Sequence, residues 1–275
     1  ALQNNLYRVG ETVNCVMTYN YFNDYKPKCM HYHGPINLNN ALAKSCNYFF
    51  FEMGRRIGAL RLTDYYKQFG LGVATGVEVD DSKGILKQPK SNGSGDTLQF
   101  AIGQLNAFTP LQLCNYVSTI ANGGTRYAAH IIKAVYSSDN STIIEEKQPE
   151  VLCETGFKKK NIQIIKEGMR RVATVTLAGS FDDSVVEVAC KTGTSTLEKT
   201  INGKTGIYTN GFLITMAPYD DPEICVAIAV EGAYSGGSLT PIASSIYNYY
   251  YKNRVTTGED DDVQDDQSEQ KEYSD

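Results

Sequence analysis

The chain has 275 residues, 41% of them apolar, enough for a substantial core in one large domain or two small ones. No stretch approaches the roughly 18 consecutive apolar residues that a membrane-spanning helix needs, and no signal peptide opens the chain. The net charge of -5 comes from residues 259–275, which hold nine acidic residues and one lysine; the remainder carries 25 basic against 22 acidic residues, without the basic stripe of a nucleic-acid binder. We therefore read residues 1–257 as the folded body and 258–275 as a solvated acidic tail with no apolar face to bury. The seven cysteines are scattered, which fits buried thiols or metal ligation better than a disulfide framework.

Residues 1–6 read as the end of a helix. Residues 7–34 mix tyrosines, asparagines and Pro27 without helical period, so they are loop with short extended pieces. Within them, Cys29, His31 and His33 alternate. In an extended segment such positions share one face, and Cys15 could return to complete two thiolates and two imidazoles, a set that suits structural Zn²⁺. Asp24 could replace one histidine. A loop this poor in apolar residues would gain folding energy from a metal.

Asn37 caps a helix carrying Leu38, Ala41 and Leu42, and residues 47–57 form a second helix stopped at Gly58. Ser45, between them, reads as an N-cap. Residues 61–69 form a short helix, and 72–95 an irregular loop rich in Gly, Asp, Ser and Lys. Thr109 caps, and Pro110 opens, a helix running through Ile120 to Asn122-Gly123-Gly124. Residues 131–137 and 142–144 make a hairpin around Asp139-Asn140, and 161–172 an amphipathic helix. Residues 185–190 read as an edge strand, with a hairpin partner after the glycine-bearing segment 203–206. Residues 211–216 and 224–230 are continuously apolar strands, and 242–251 the closing helix. The order, helices first and then an antiparallel set with a terminal helix laid on it, is that of an α+β domain.

Chemistry concentrates at Lys191-Thr192-Gly193-Thr194-Ser195, just past the 185–190 strand. An ammonium there can draw a carboxylate, the hydroxyls can orient a substrate, and Gly193 lets another backbone approach closely. Three separated motifs, Ser45-Cys46-Asn47, the block Gly103-Gln104 to Gly124, and Lys191-Thr192-Gly193-Thr194, together resemble the transpeptidase domain of class B, monofunctional penicillin-binding proteins. The resemblance covers the chain from its start to about Tyr251. It implies the penicilloyl-serine transferase fold, a five-stranded antiparallel sheet between helical layers. It further implies D,D-transpeptidation of peptidoglycan stem peptides through a serine acyl-enzyme, and acylation by β-lactam antibiotics.

In that scheme Ser45 belongs to the proton relay, Asn47 bonds the substrate amide and Lys191 tunes the relay. Thr192, Gly193 and Thr194 line the substrate's carboxylate site, and the Thr194 N–H supplies half of an oxyanion hole. The family's Ser-x-x-Lys nucleophile motif is absent upstream of Ser45; the one literal match, Ser268 to Lys271, falls in the acidic tail. We therefore expect these residues to start just past the nucleophile, so that this chain alone lacks it. The resemblance also implies a membrane anchor, an extracytoplasmic location and a glycosyltransferase partner. A serine β-lactamase, or a non-catalytic β-lactam sensor or scaffold, are the rival readings.

Overall fold

The computed structural model describes residues 1–23, 25–89, 95–201 and 204–257. Asp24 and the acidic tail lie outside the described residues.

The chain opens with a single 3-10 turn, Leu2–Asn4, rather than with the helix expected over 1–6. β1 (Val13–Cys15) and β2 (Gly34–Ile36) pair antiparallel and enclose the loop that carries the cysteines and histidines. α1 (Leu38–Ala43) starts where the Asn37 side chain accepts the Asn40 N–H at 3.2 Å, as the cap signal predicts. α2 (Asn47–Ile57) ends at Gly58, whose φ of 80° closes the turn. α3 (Ala59–Gln68) follows, and then α4 (Gly95–Ala101), a helix just past the 72–95 loop that the sequence reading left unassigned. α5 (Pro110–Ala121) has the full capping box, Thr109 with Gln112. The fully buried Gln112 also donates to the carbonyls of Val73 and Lys83, both at 2.9 Å, pinning the 72–89 loop onto α5.

β3 (Thr125–Tyr127) pairs with β6 (Val151–Glu154) around a small hairpin of β4 (Ala134–Tyr136) and β5 (Ile143–Glu146). α6 (Lys159–Arg171) runs into a π-turn, Val172–Thr176. The main sheet then forms from β7 (Ala189–Ile201), β8 (Lys204–Ala217) and β9 (Ile224–Glu231), all antiparallel in sequence order. A 3-10 turn, Gly236–Leu239, leads into the closing helix α7 (Thr240–Thr257). Among the described residues this sheet has three strands, not the five that the resemblance implies.

The sheet separates two layers because its side chains alternate. Val188, Cys190, Leu213 and Ala217 pack against Ala243 and Tyr247 of α7. Ala189 and Met216 turn the other way, onto Val117 and Ile120 of α5 and Ile162 and Met169 of α6. Lys191 shares the parity of Ala189, so it points to the helical side, where Ser45 lies. The strand itself begins at Ala189 instead of Val185, and the Lys-Thr-Gly stretch sits within it, not in a loop after it. β7 is an edge strand, as expected.

Candidate active site

Ser45 occupies the three-residue link between α1 and α2. It does not cap α2: Cys46 holds that position and makes no side-chain capping bond. Ser45 instead takes a left-handed backbone, φ 48°, uncommon for a residue with a Cβ. The link is held by the Lys44 N–H on the Asn40 carbonyl at 2.8 Å and the Cys46 N–H on the Ala41 carbonyl at 2.9 Å. This conformation turns the Ser45 side chain out toward the sheet edge and sets Asn47 as the first residue of α2.

Across 146 positions of sequence, Lys191 Nζ donates to Ser45 Oγ at 2.8 Å and also to the Thr192 carbonyl at 2.8 Å. Burial of the ammonium lowers its pKa to about 8, offset only in part by the neighbouring Cys190. Lys191 is thus poised to be charged or neutral near physiological pH, bonded to a hydroxyl. Two strand positions on from Lys191, Gly193 meets the backbone of Gly236 so closely that a Cβ on Gly236 would lie 2.5 Å from the Gly193 carbonyl oxygen and 2.2 Å from that of Phe212. The Gly236 N–H donates to Thr194 Oγ1 at 3.2 Å. The sequence reading named Gly193 for close approach but missed its partner, because the Gly236-Gly237 pair carries no signal until the strand beside it is known. Thr194 is exposed and Thr192 half-buried on the same edge.

The second cluster adjoins the first. The ligating atoms of Cys15, Cys29, His33 and Cys46 all lie within 4.8 Å of one another. Cys15 Sγ and Cys29 Sγ stand 3.5 and 3.6 Å from His33 Nδ1, and Cys29 Sγ lies 3.9 Å from Cys46 Sγ. The set therefore takes Cys46 in place of His31, which corrects the reading from alternation. The backbone bends at Met30 and His31, and β2 begins only at Gly34, so residues 29, 31 and 33 do not share a face. His31 is exposed and contributes its backbone carbonyl, which accepts from Cys15 Sγ at 3.5 Å. Burial, with Lys44 and His31 nearby, holds the His33 imidazole below its usual pKa and so neutral. Burial raises the Cys46 thiol; at Cys29 it is outweighed by the N–H groups of His31 and Tyr48 and by the neighbouring thiols, which leave that pKa lowered.

Residues 1–248 match the family model described as penicillin binding protein transpeptidase domain. Penicillin-binding protein 2A of Bacillus subtilis is 38% identical over 225 residues, covering 73% of this chain and 31% of that protein. The peptidoglycan D,D-transpeptidase MrdA of Acinetobacter baumannii is 27% identical over 241 residues, 81% of this chain and 35% of that protein. Among solved structures, penicillin-binding protein 2 of Helicobacter pylori in complex with MreC superposes with a TM-score of 0.77 at 24% identity, over 92% of this chain and 47% of that one. Penicillin-binding protein 2B of Streptococcus pneumoniae superposes with a TM-score of 0.67 at 26% identity, over 88% and 43%. The chain spans about a third of the length of the curated relatives it matches. With Ser-Cys-Asn and Lys-Thr-Gly-Thr meeting at one sheet edge, and with these relatives of class B, the chain belongs to the penicillin-binding protein transpeptidase family and has its fold.

Proposed function

We propose that this chain supplies most of the active site of a peptidoglycan D,D-transpeptidase that β-lactams acylate. The observation that carries the reading is the 2.8 Å bond from Lys191 Nζ to Ser45 Oγ on an accessible strand edge. A serine hydroxyl attacks the penultimate D-Ala carbonyl, the C–N bond to the terminal D-Ala breaks, and the serine's proton passes to the leaving amine. The amine of a second stem peptide then displaces the serine and returns a proton to it. Ser45, bonded to a lysine of lowered pKa, is assigned the passage of the proton to the leaving amine. Asn47 is assigned to the substrate amide, Thr192 and Thr194 to its carboxylate, and the Thr194 N–H to the oxyanion.

The nucleophile is assigned to a helix outside these residues. Support comes from the absence of Ser-x-x-Lys upstream of Ser45 and from an apolar cavity of about 360 Å³ that reaches Leu42 and Phe49, on α1 and α2 either side of the Ser45 link. Leu38, Phe49, Tyr66, Phe157 and Ile165 line it, a surface suited to the buried face of a helix. Cys15, Cys29, His33 and Cys46 have the chemistry of a structural zinc site: three thiols and a neutral imidazole of the size a tetrahedral ion needs. Held there, an ion would tie the 13–36 loop to Cys46, one residue from Ser45, and supply folding energy rather than chemistry.

No helix among the described residues is long and apolar enough to cross a membrane. The extracytoplasmic, membrane-anchored location and a polymerase partner are therefore assigned by family. The H. pylori relative is in complex with MreC, which favours a protein partner for this chain without naming a polymerase. Intact-mass measurement with a labelled penicillin tests the reading. The chain extended upstream is expected to gain one slowly released acyl group, residues 1–275 alone none, and Ser45→Ala or Lys191→Ala to slow acylation by orders of magnitude. Rapid hydrolysis would indicate a β-lactamase, and no reaction a sensor or scaffold; an adduct on residues 1–275 would show that the nucleophile is elsewhere.

A further inference from the structure

The helix that abuts the Ser45 link does not end as an α-helix. α6 passes at Arg171 into the π-turn Val172–Thr176, closed by the Leu177 N–H on the Val172 carbonyl at 2.9 Å. Such turns are rare and have poorer bonding geometry than the α-helix, so one retained in a fold has a local reason. Here the widened turn brings Thr176 against α1. Its Oγ1 donates to the carbonyl of Ala43, the last residue of α1 and two before Ser45.

Two further contacts fix the same helix. Arg171 donates to Asn40 Oδ1 at 2.9 Å. Gly168 has no room for a side chain, since a Cβ there would lie 2.4 Å from Leu42 Cδ1. α6 and its π-turn thus hold α1 at Asn40, Leu42 and Ala43, the residues that lead directly into the left-handed Ser45. The link takes its position from α1: Lys44 and Cys46 bond back to Asn40 and Ala41, and the Ser45 N–H reaches the Leu42 carbonyl at a long 3.3 Å. Ala43 is buried, so its carbonyl needs a partner, whereas Thr176 is itself exposed and adds little to the core.

We propose that Thr176 is a positioning residue for Ser45, its hydroxyl fixing the Ala43 carbonyl so that Ser45 Oγ stays within reach of Lys191 Nζ. The π-turn is the device that presents it. This rests on the role proposed above for Ser45, and the test separates the two. In the protein carrying its nucleophile, Thr176→Val keeps the β-branched shape and removes the donor, Thr176→Ser keeps the donor, and Ser45→Ala serves as reference. Thr176→Val is expected to slow penicillin acylation by about 10- to 100-fold, the scale of a 1 Å misplacement. Its melting temperature should fall by no more than a few degrees, the cost of the unpartnered Ala43 carbonyl, and Thr176→Ser should restore both the parent rate and the melting temperature. Amide exchange at Cys46, read by NMR, should quicken in Thr176→Val but not in Thr176→Ser. Parent-like acylation in Thr176→Val beside a slow Ser45→Ala, or a Ser variant as impaired as the Val variant, would overturn the positioning role. If Ser45→Ala itself acylates normally, the catalytic reading fails, and unchanged Cys46 exchange in Thr176→Val then refutes the latch on its own.

Discussion

Gly54 lies buried on α2, the helix whose first residue is Asn47, and faces α4. A Cβ built there would lie 2.3 Å from Ala101 Cβ, 3.4 Å from the Thr97 carbonyl oxygen and 3.7 Å from Ala101 Cα. Two methyl carbons settle near 3.5–4.0 Å, so Gly54→Ala must part α2 and α4 by more than about 1 Å. Neither obstacle is the movable end of a long side chain. Overpacking of this kind costs about 1–3 kcal/mol, while alanine returns up to about 1 kcal/mol through its better helix propensity. We expect a net loss of about 1–2 kcal/mol, or about 2–8 °C in melting temperature for a chain of this size.

The reciprocal change isolates the contact. Ala101→Gly removes the opposing methyl, so the double variant carries one methyl across the interface as the parent does. The two substitutions should couple by about 1–3 kcal/mol in denaturant unfolding, with the double variant more stable than the sum of the singles. Additive effects, or a single Gly54→Ala variant as stable as the parent, would show that the helices do not meet as described.

Zinc bound by Cys15, Cys29, His33 and Cys46 would be lost on Cys46→Ser or Cys29→Ser but retained in His31→Ala; elemental analysis with equal loss in His31→Ala would contradict the assigned set. Lys191, with its pKa lowered to about 8, should give penicillin acylation a limb falling above that pH, as the ammonium that draws the substrate carboxylate loses its proton. Lys191→Ala should abolish the limb, and a limb that persists in it belongs to another group. Burial alone would raise the Glu52 carboxyl, but bonds from Arg55, Tyr19 and Arg56 hold it at about 2 against an ordinary 4.5. Its stabilising effect is complete above the unfolded value and lost as pH falls from about 4.5 toward 2, because the unfolded chain takes up the proton first. Glu52→Gln should flatten the stability profile across that window, and an unaltered acid limb would rule Glu52 out as its source.

Local chemistry made much of this fold legible in the sequence. The Asn37 and Thr109 caps, the stop at Gly58 and the apolar runs of β8 and β9 depend on neighbours a few residues away, and the helices and strands they predict are present. The resemblance carried by Ser45-Cys46-Asn47 and Lys191-Thr192-Gly193-Thr194 implied that Ser45 and Lys191 share one site. What the sequence could not supply were features set by distant packing. α4 is a seven-residue helix that buries Leu98 and Phe100 against its neighbours, too short to declare a period of its own. Cys46 looked like the filler of Ser-x-Asn and joins Cys15, Cys29 and His33 only because the turn after α1 folds it back onto the loop, while His31 lost its place to a bend in the backbone. Thr176 reached Ala43 through a π-turn that no periodicity announces. The sequence determined which segments bury which faces, because alternation and capping are short-range; the tertiary structure decided which side chains meet, because a meeting across 133 or 146 residues depends on every element between them.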